Sequence, residues 1–332
     1  MGKVVAVAGV TGAVGVEMLK CLERLSFPVS KLVPLASARS AGKTITFKGE
    51  KVAVQEMTEK SFKGVDIALF SAGSSVSKQF RKAVVDAGCV MIDNSSAFRM
   101  EEGVPLIVPE VNPEMAKQNK GVIANPNCTT IIMLVALWPL HKANAVKHVF
   151  VSTYQSASGA GHFAMEELKN TTLDYLNGKP VTPKVLPQQL AMNLFCHTSP
   201  TLPNGYNEEE MKMVHETRKI MNYPSIMVSP TCVRVPILRA HSEALTIEFT
   251  NPITPEEVRA ILEKAPGCKI IDDRAKNIHP TPLVASDAHD VFCGHIRQDV
   301  GLAGNRGIAM FICGDQLLKG AALNAVQIAE LL

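Results

Sequence analysis

Cys128 stands between the turn-forming triplet Asn125, Pro126, Asn127 and an apolar run that begins at Thr129. A prolyl turn followed by such a run predicts a helix that opens at this cysteine. A helix start carries unpaired N–H groups and the positive end of the peptide dipole. It therefore stabilises a thiolate and, with the Asn127 amide, an oxyanion on a carbonyl bound there. Position alone reads equally well as a structural cysteine in a first turn. A thiolate in acyl chemistry needs an acid–base partner. The chain has nine histidines, and any one of them is more often a surface or core residue than a catalyst. His241 is the leading candidate because the alternating run Leu245, Ile247, Phe249 follows it and places it at a strand entrance. Arg234 comes seven positions earlier. On one unbroken strand that odd spacing puts the two on opposite faces, and Pro236 supplies the break that would let both face one cleft. Glu209 and Lys212, three apart on a charged helical stretch at 208–221, share a face. Read by themselves they are a surface ion pair. Arg99 follows the fourth predicted strand, at the edge where open α/β sheets take ligands.

Gly9, Gly12 and Gly15 form a second constellation, between an apolar strand at 4–8 and helical spacing at Val14, Met18, Leu22 and Leu25. Glycines let backbone approach a pyrophosphate, and the helix start offers its N–H groups. A tight turn that binds nothing is the alternative, and the strand–turn–helix context favours the dinucleotide. An NAD site carries an acid about 20 residues further on, at the ribose. The window 30–42 has no acid. It has Arg39 between Ser37 and Ser40, groups that suit a 2′-phosphate. This favours NADP, leaves NAD use beside it open, and sets aside a solvated loop arginine.

The elements that must position these residues change texture along the chain. Continuous apolar runs at 4–8, 32–36, 67–70 and 90–92, with a helix at 76–87, predict a Rossmann-type, doubly wound parallel sheet. Beyond about residue 126, alternation at 149–153, 245–249 and 308–312 predicts a mixed sheet covered on one side, an α+β arrangement. The stretch 178–205, with five prolines, reads as irregular, and 316–332 as a final amphipathic helix. The 332 residues suit two domains. We expect 1–127 as the dinucleotide domain, with a helix at 315–332 packing back on it, and 128–314 as the second. Net charge is only +3 and aromatics 5%, which argues against a nucleic-acid surface. The apolar, uncharged stretch 121–140 is broken by Asn125, Pro126, Asn127 and Pro139 and does not read as a membrane span. No two of the eight cysteines are closer than 20 residues, so no zinc or redox pair is expected. With no leader pattern at its start, the chain reads as cytoplasmic.

In combination these segments resemble the aspartate-semialdehyde dehydrogenase family over essentially the whole chain. The resemblance is carried by GVTGAVG at 9–15, SAGSSVS at 71–77, DNSSAFRM at 93–100, NPNCTT at 125–130 and YQSASGAG at 154–161. It continues in EEMK at 209–212, RVPILRAH at 234–241 and KGAALNAVQIAELL at 319–332. N-acetylglutamyl-phosphate reductases have a different cysteine loop, and glyceraldehyde phosphate dehydrogenases share only Cys-Thr-Thr. The resemblance implies that Cys128 is the acyl-thioester nucleophile and His241 its acid–base partner. It implies that Gln155 orients the substrate, with Asn127 beside it. Arg234 would grip the α-carboxylate, Glu209 the α-ammonium, and Arg99 and Lys212 the phosphate. For NADP it implies Thr11, Gly12, Ala13 and Val14 at the pyrophosphate, and Ser37, Arg39 and Ser40 at the 2′-phosphate. Gly73 would lie along the dinucleotide, Ser158 and Gly159 at the nicotinamide side, and Gln316 would reach the cofactor from the last helix.

The implied activity is NADPH-dependent reduction of L-aspartyl-4-phosphate to L-aspartate 4-semialdehyde with release of phosphate, a branch point toward lysine, methionine, threonine and isoleucine. The implied partners are small-molecule substrates and a second copy through the 128–314 domain, as a homodimer or a tetramer, with no nucleic acid, membrane or metal. Two rivals remain: a reductase of another acyl phosphate or acyl-CoA, and a non-catalytic dinucleotide-binding paralogue.

Overall fold

A computed structural model describes residues 2–332. The chain divides into two compact units, Met1–Asn127 with Ala321–Leu332, and Cys128–Gly320.

In the first unit β1 (Lys3–Ala8) leads through the glycine turn into α1 (Ala13–Arg24), then β2 (Val29–Ala36). A hairpin of β3 (Thr44–Phe47) and β4 (Glu50–Ala53), which no sequence signal pointed to, precedes the two-residue β5 (Gln55–Glu56). β6 (Ile67–Phe70), α2 (Ser74–Asp86), β7 (Val90–Asp93) and β8 (Val122–Ala124) complete this part. The sheet runs β5-β2-β1-β6-β7-β8 and every pairing in it is parallel. Its central strands are buried on both faces, which is why they read as continuous apolar runs rather than alternations.

The second unit opens with α3 (Cys128–Ala143), then β9 (Val146–Gln155), α4 (His162–Leu176), β10 (Phe195–Cys196) and α5 (Glu208–Ile220). β11 (Met227–Arg234), β12 (His241–Phe249), α6 (Pro255–Leu262), β13 (Cys268–Ile270), α7 (Pro282–Ala285), β14 (Val291–Gln298) and β15 (Gly307–Gly314) follow. Its seven-stranded mixed sheet runs β10-β11-β9-β12-β15-β14-β13. α3 is apolar on all sides because it is buried on all sides, with Ile131–Leu137 shielded from solvent between the sheet, α5 and α6. The Rossmann-type parallel sheet and the mixed α+β sheet are thus both present. The 178–205 stretch is irregular apart from β10. It has a small core of its own, where Leu186, Leu190 and Phe195 pack with Ala164 and Leu168 of α4. Its backbone is held by Glu167, whose carboxylate accepts the N–H groups of Val185 and Leu186 at 2.6 and 2.9 Å.

The expected single helix at 315–332 is divided. Residues up to Gly320 belong to the second unit, a π-turn covers Leu318–Ala322, and only α8 (Leu323–Glu330) is a regular helix. The reason is local. Asp315 turns its carboxylate onto Arg239 at 2.6 Å and onto the N–H groups of Leu317 and Leu318 at 2.9 and 3.2 Å, so the chain there is a cap, not a helix interior. α8 lies against α1 and inserts Asn324, whose amide donates to Asn125 Oδ1 (2.7 Å) and to the Ile107 carbonyl (3.0 Å).

Candidate active site

Two sets of candidate residues come together, one in each unit. In the first unit, Gly9 adopts φ +81° and the Gly12 N–H closes back on its carbonyl at 2.9 Å. A Cβ on Gly9 would collide with the Ser71 carbonyl, and one on Gly15 with the Gly9 carbonyl, so only glycine fits this turn. α1 then starts at Ala13 with no side chain capping it, leaving its first N–H groups for a ligand. The turn borders a cavity of about 490 Å³. Thr11, Gly12, Ser37, Arg39 and Ser40 line it. Ala13 and Val14 form the first turn of α1, and Gly73 precedes α2 with φ +90°. The backbone cradle and the cation beside two hydroxyls fit a dinucleotide phosphate. Glu56 also lines the cavity. It escaped the sequence reading because it lies outside the 30–42 window, yet β5 pairs with the end of β2 and sets Glu56 opposite Ala36.

Arg99, in the same unit, is buried and fixed by carbonyls at the carboxyl ends of two strands. Its Nε donates to Asn125 O (3.0 Å) and its Nη2 to Asn94 O (2.9 Å). Asp93 behind it accepts from Ser77 and Ser95, each at 2.6 Å, and burial still pushes its carboxyl up. Asn127 is buried at the close of this unit.

In the second unit Cys128 is the half-buried first residue of α3. A Cβ on Gly320 would stand 2.9 Å from its Cβ. Arg234 ends β11 opposite Gln155, the last residue of β9. β12 pairs antiparallel with β9, Ser242 opposite Tyr154, which brings His241 level with Gln155. The three side chains share the inner face of three neighbouring strands. The Arg234–His241 spacing is resolved by the chain leaving one strand after Arg234 and entering another at His241, as the break at Pro236 suggested.

Ser156 ties the row together, although no motif argument singled it out. Its carbonyl accepts from Arg234 Nη1 (2.7 Å), its N–H donates to His241 Nδ1 (3.0 Å), and its hydroxyl lies 3.1 Å from the same nitrogen. Gly159 closes over them, since a Cβ there would stand 2.9 Å from Arg234 Nη1 and 3.1 Å from His241 Nε2. Gln155 donates to Glu209 Oε1 (3.2 Å), and Lys212 meets Glu209 Oε2 (3.0 Å). Glu209 is only 5% exposed, so this is not the surface ion pair that the residues alone suggested. Gln316 precedes the last helix. Its Oε1 accepts the Ala240 N–H at 2.9 Å, and its amide donates to the Ser158 hydroxyl. Ala240 holds φ +68°, a strained value for alanine that aims His241.

The electrostatics follow from burial. His241 is fully enclosed, and its pKa is pushed down to about 3, first by burial and then by the Arg234 charge. Its Nε2 has no partner among the described residues. Arg234 is lowered by burial and raised back by the charges of Cys128 and Glu209. Two further groups went unnoticed in the sequence. His197 is lowered by burial and lies within the field of Glu209, Arg234, Lys212 and Glu210. Glu243 shares the inner face of β12 with His241, fully buried with neither oxygen hydrogen-bonded, and burial raises its carboxyl well above the ordinary range. No described group of three or more His, Cys, Asp or Glu could hold a metal ion, and no described helix is long and apolar enough to cross a membrane.

A glycine-cradled Rossmann unit, and a mixed-sheet unit with a helix-opening cysteine and a buried histidine, define an oxidoreductase with an NAD(P)-binding domain. The family model described as semialdehyde dehydrogenase, NAD binding domain, matches residues 4–119, and that described as semialdehyde dehydrogenase, dimerisation domain, matches 137–319. The aspartate-semialdehyde dehydrogenase of Synechocystis sp. is 54% identical over 328 residues, 99% of this chain and 96% of its own. That of Aquifex aeolicus is 50% identical over 337 residues, 100% of this chain and 98% of its own. Among solved structures, aspartate semialdehyde dehydrogenase II of Vibrio cholerae, complexed with ASA, superposes with a TM-score of 0.97 at 45% identity, covering 100% of this chain and 98% of that one. The chain belongs to the aspartate-semialdehyde dehydrogenase family.

Proposed function

We propose that the chain interconverts L-aspartyl-4-phosphate and L-aspartate 4-semialdehyde, with NADP as the preferred dinucleotide, on the route from aspartate to lysine, methionine, threonine and isoleucine. The observation that carries this reading is the row Arg234–Gln155–His241, with Glu209 on Gln155 and the Cys128 charge acting on Arg234. A cation and a carboxylate gathered at Gln155 suit the two charged ends of an α-amino acid, which a generic acyl phosphate or acyl-CoA lacks.

In the reductive direction the Cys128 sulfur attacks the acyl carbon, the carbon–oxygen bond to phosphate breaks, and inorganic phosphate leaves a thioester behind. Lys212 supplies positive charge for the phosphate. Arg99 keeps the phosphate role that the resemblance implies. Arg234 orients the α-carboxylate, Glu209 meets the α-ammonium, Gln155 faces the reacting carbonyl, and His241 governs the proton near the sulfur. Asn127 keeps the substrate role that the resemblance implies. When bound, the dinucleotide supplies the hydride that separates thioester from aldehyde. Thr11, Gly12, Ala13, Val14 and Gly73 would hold its diphosphate and Ser37, Arg39 and Ser40 its 2′-phosphate, with Ser158, Gly159 and Gln316 on the side of its reactive ring.

We also read the protein as a homodimer built on the outer face of the second unit's sheet, where Phe150 and Tyr154 stand exposed. The test of function is NADP reduction by L-aspartate semialdehyde followed at 340 nm, with and without phosphate. Turnover requiring both, and abolished in Cys128→Ser, is expected. Dinucleotide binding without turnover would overturn the substrate assignment.

A further inference from the structure

A closed ring of four hydrogen bonds joins the start of α5 to the edge of the second unit's sheet. β10 ends at Cys196, and the next residue makes only half of a ladder pair with β11. The His197 N–H donates to the Cys232 carbonyl at 2.8 Å. The His197 carbonyl turns away and accepts the Asn207 side-chain amide at 3.2 Å. The Cys232 N–H, which that carbonyl would take in a full antiparallel pair, donates instead to Glu210 Oε1 at 3.1 Å. Glu210 Oε2 closes the ring by accepting the Asn207 N–H at 3.0 Å. The donor is fixed at every link. All are backbone N–H groups except the Asn207 amide, whose oxygen accepts the Glu210 N–H at 2.9 Å and so leaves its NH2 for His197. Asn207, Glu210 and Cys232 are buried.

The ring matters to the site because of what stands next to it. Glu209 is the neighbour of Glu210 in the first turn of α5, and Arg234 follows Cys232 by two residues at the end of β11. Packing such as that of Met213 on the Cys232 sulfur holds the helix on the sheet, but apolar contact is non-directional and lets a helix slide. A carboxylate that takes one backbone N–H from each element sets their register. We propose that Glu210 is a positioning residue that fixes the separation of Glu209 from Arg234, and thereby makes the site selective for a substrate with an amino group beside its carboxylate. This rests on the reading of Arg234 and Glu209 as the holders of those two groups. Glu210 acts through Glu209, whose own N–H is held by Ser199 Oγ at 3.0 Å and whose Oε1 accepts from Gln155, the residue opposite Arg234. A small slide of α5 would keep the fold and its apolar contacts. It would change the gap between the two charges, so an α-amino acid would lose its advantage over a substrate that has the carboxylate alone.

The test uses the full-length enzyme and compares L-aspartate semialdehyde with succinate semialdehyde, which lacks the amino group, in phosphate-dependent reduction of the dinucleotide. Glu210→Gln keeps the shape but has one acceptor oxygen for two N–H groups. Glu210→Asp keeps the charge but is a methylene too short to span both. In each variant kcat/KM for the amino substrate should fall about tenfold, chiefly through KM, while that for the other stays within about twofold. In a Glu209→Gln background, where the charge to be positioned is already gone, adding Glu210→Gln should remove little further selectivity. An equal fall for both substrates assigns Glu210 a purely structural role and overturns the proposal, as does a wild-type selectivity that both variants keep. The two variants weaken the ring differently, so loss of fold in one leaves the comparison to the other. A wild type indifferent to the amino group overturns the reading of Arg234 and Glu209 and this inference with it, a failure distinct from selectivity that Glu210 does not control.

Discussion

Burial pushes the Glu243 carboxyl toward its neutral form. Its folded pKa is raised above the unfolded value, so below about pH 4.5 both states hold the proton and nothing is lost. Above that pH the unfolded chain releases its proton and the fold does not, and stability falls as pH rises toward the folded pKa. Glu243→Gln keeps the shape and removes the titration. Its melting temperature should equal that of the wild type near pH 4 and exceed it increasingly toward pH 8, a comparison open to scanning calorimetry. A wild-type advantage at pH 8 would mean that the carboxylate is charged and paired. Glu56 bears on cofactor choice. Beside Arg39 in one cavity, its carboxylate repels a 2′-phosphate and accepts from a 2′-hydroxyl, whereas the guanidinium does the reverse. Glu56→Gln should raise the ratio of kcat/KM for NADP over NAD several-fold, and Arg39→Ala should lower it about tenfold or more, about the 1.4 kcal/mol of one charge-assisted contact. Steady-state rates with both dinucleotides decide this.

At the scale of elements, the sequence made legible whatever depended on neighbours along the chain. The glycine turn, the parallel strands, the cysteine at a helix start and the charged helix of Glu209 and Lys212 all announce themselves within a dozen residues. The residues it hid are brought in across strands. Glu56 matters because β5 pairs with the end of β2, and Ser156 because β9 lies between β11 and β12. Gln316 looked helical because its neighbours are helix formers, but the Asp315 cap delays the helix to Leu323. Alternation gave Glu243 its inner face, but no local pattern says that a carboxyl there lacks a partner. The glycine turn offers a test at this scale. Gly15→Ala forces a methyl onto the Gly9 carbonyl and to within 2.8 Å of Val10 Cα, so the turn must open. Dinucleotide affinity should fall at least tenfold by calorimetry while alkylation of Cys128 in the other unit keeps its rate. Unchanged affinity would mean that the turn does not hold the phosphates.

For the whole molecule, the second unit leaves Phe150 at 43% and Tyr154 at 37% exposure on the outer face of its sheet. Fully burying a large apolar side chain is worth about 1.5–3 kcal/mol, and a second copy would recover the fraction that these half-wet rings still lack. Phe150→Asp should therefore turn a dimer into a monomer by light scattering at micromolar protein, and a wild type already monomeric would refute the dimer. The first unit has a different dependence. Its fold is not complete at Asn127. Asn324 holds Asn125 and the Ile107 carbonyl, and α8 covers α1, yet these residues come after the entire second unit in the chain. During synthesis from the N-terminus, the nucleotide-binding unit must wait, with the apolar side of α1 uncovered, while some 190 further residues are translated and fold at roughly 5–20 residues per second. Only when the last turns clear the ribosome can it close. The first unit therefore completes its fold only after the second has been made, and a nascent chain interrupted before residue 321 offers an exposed apolar surface to chaperones and proteases.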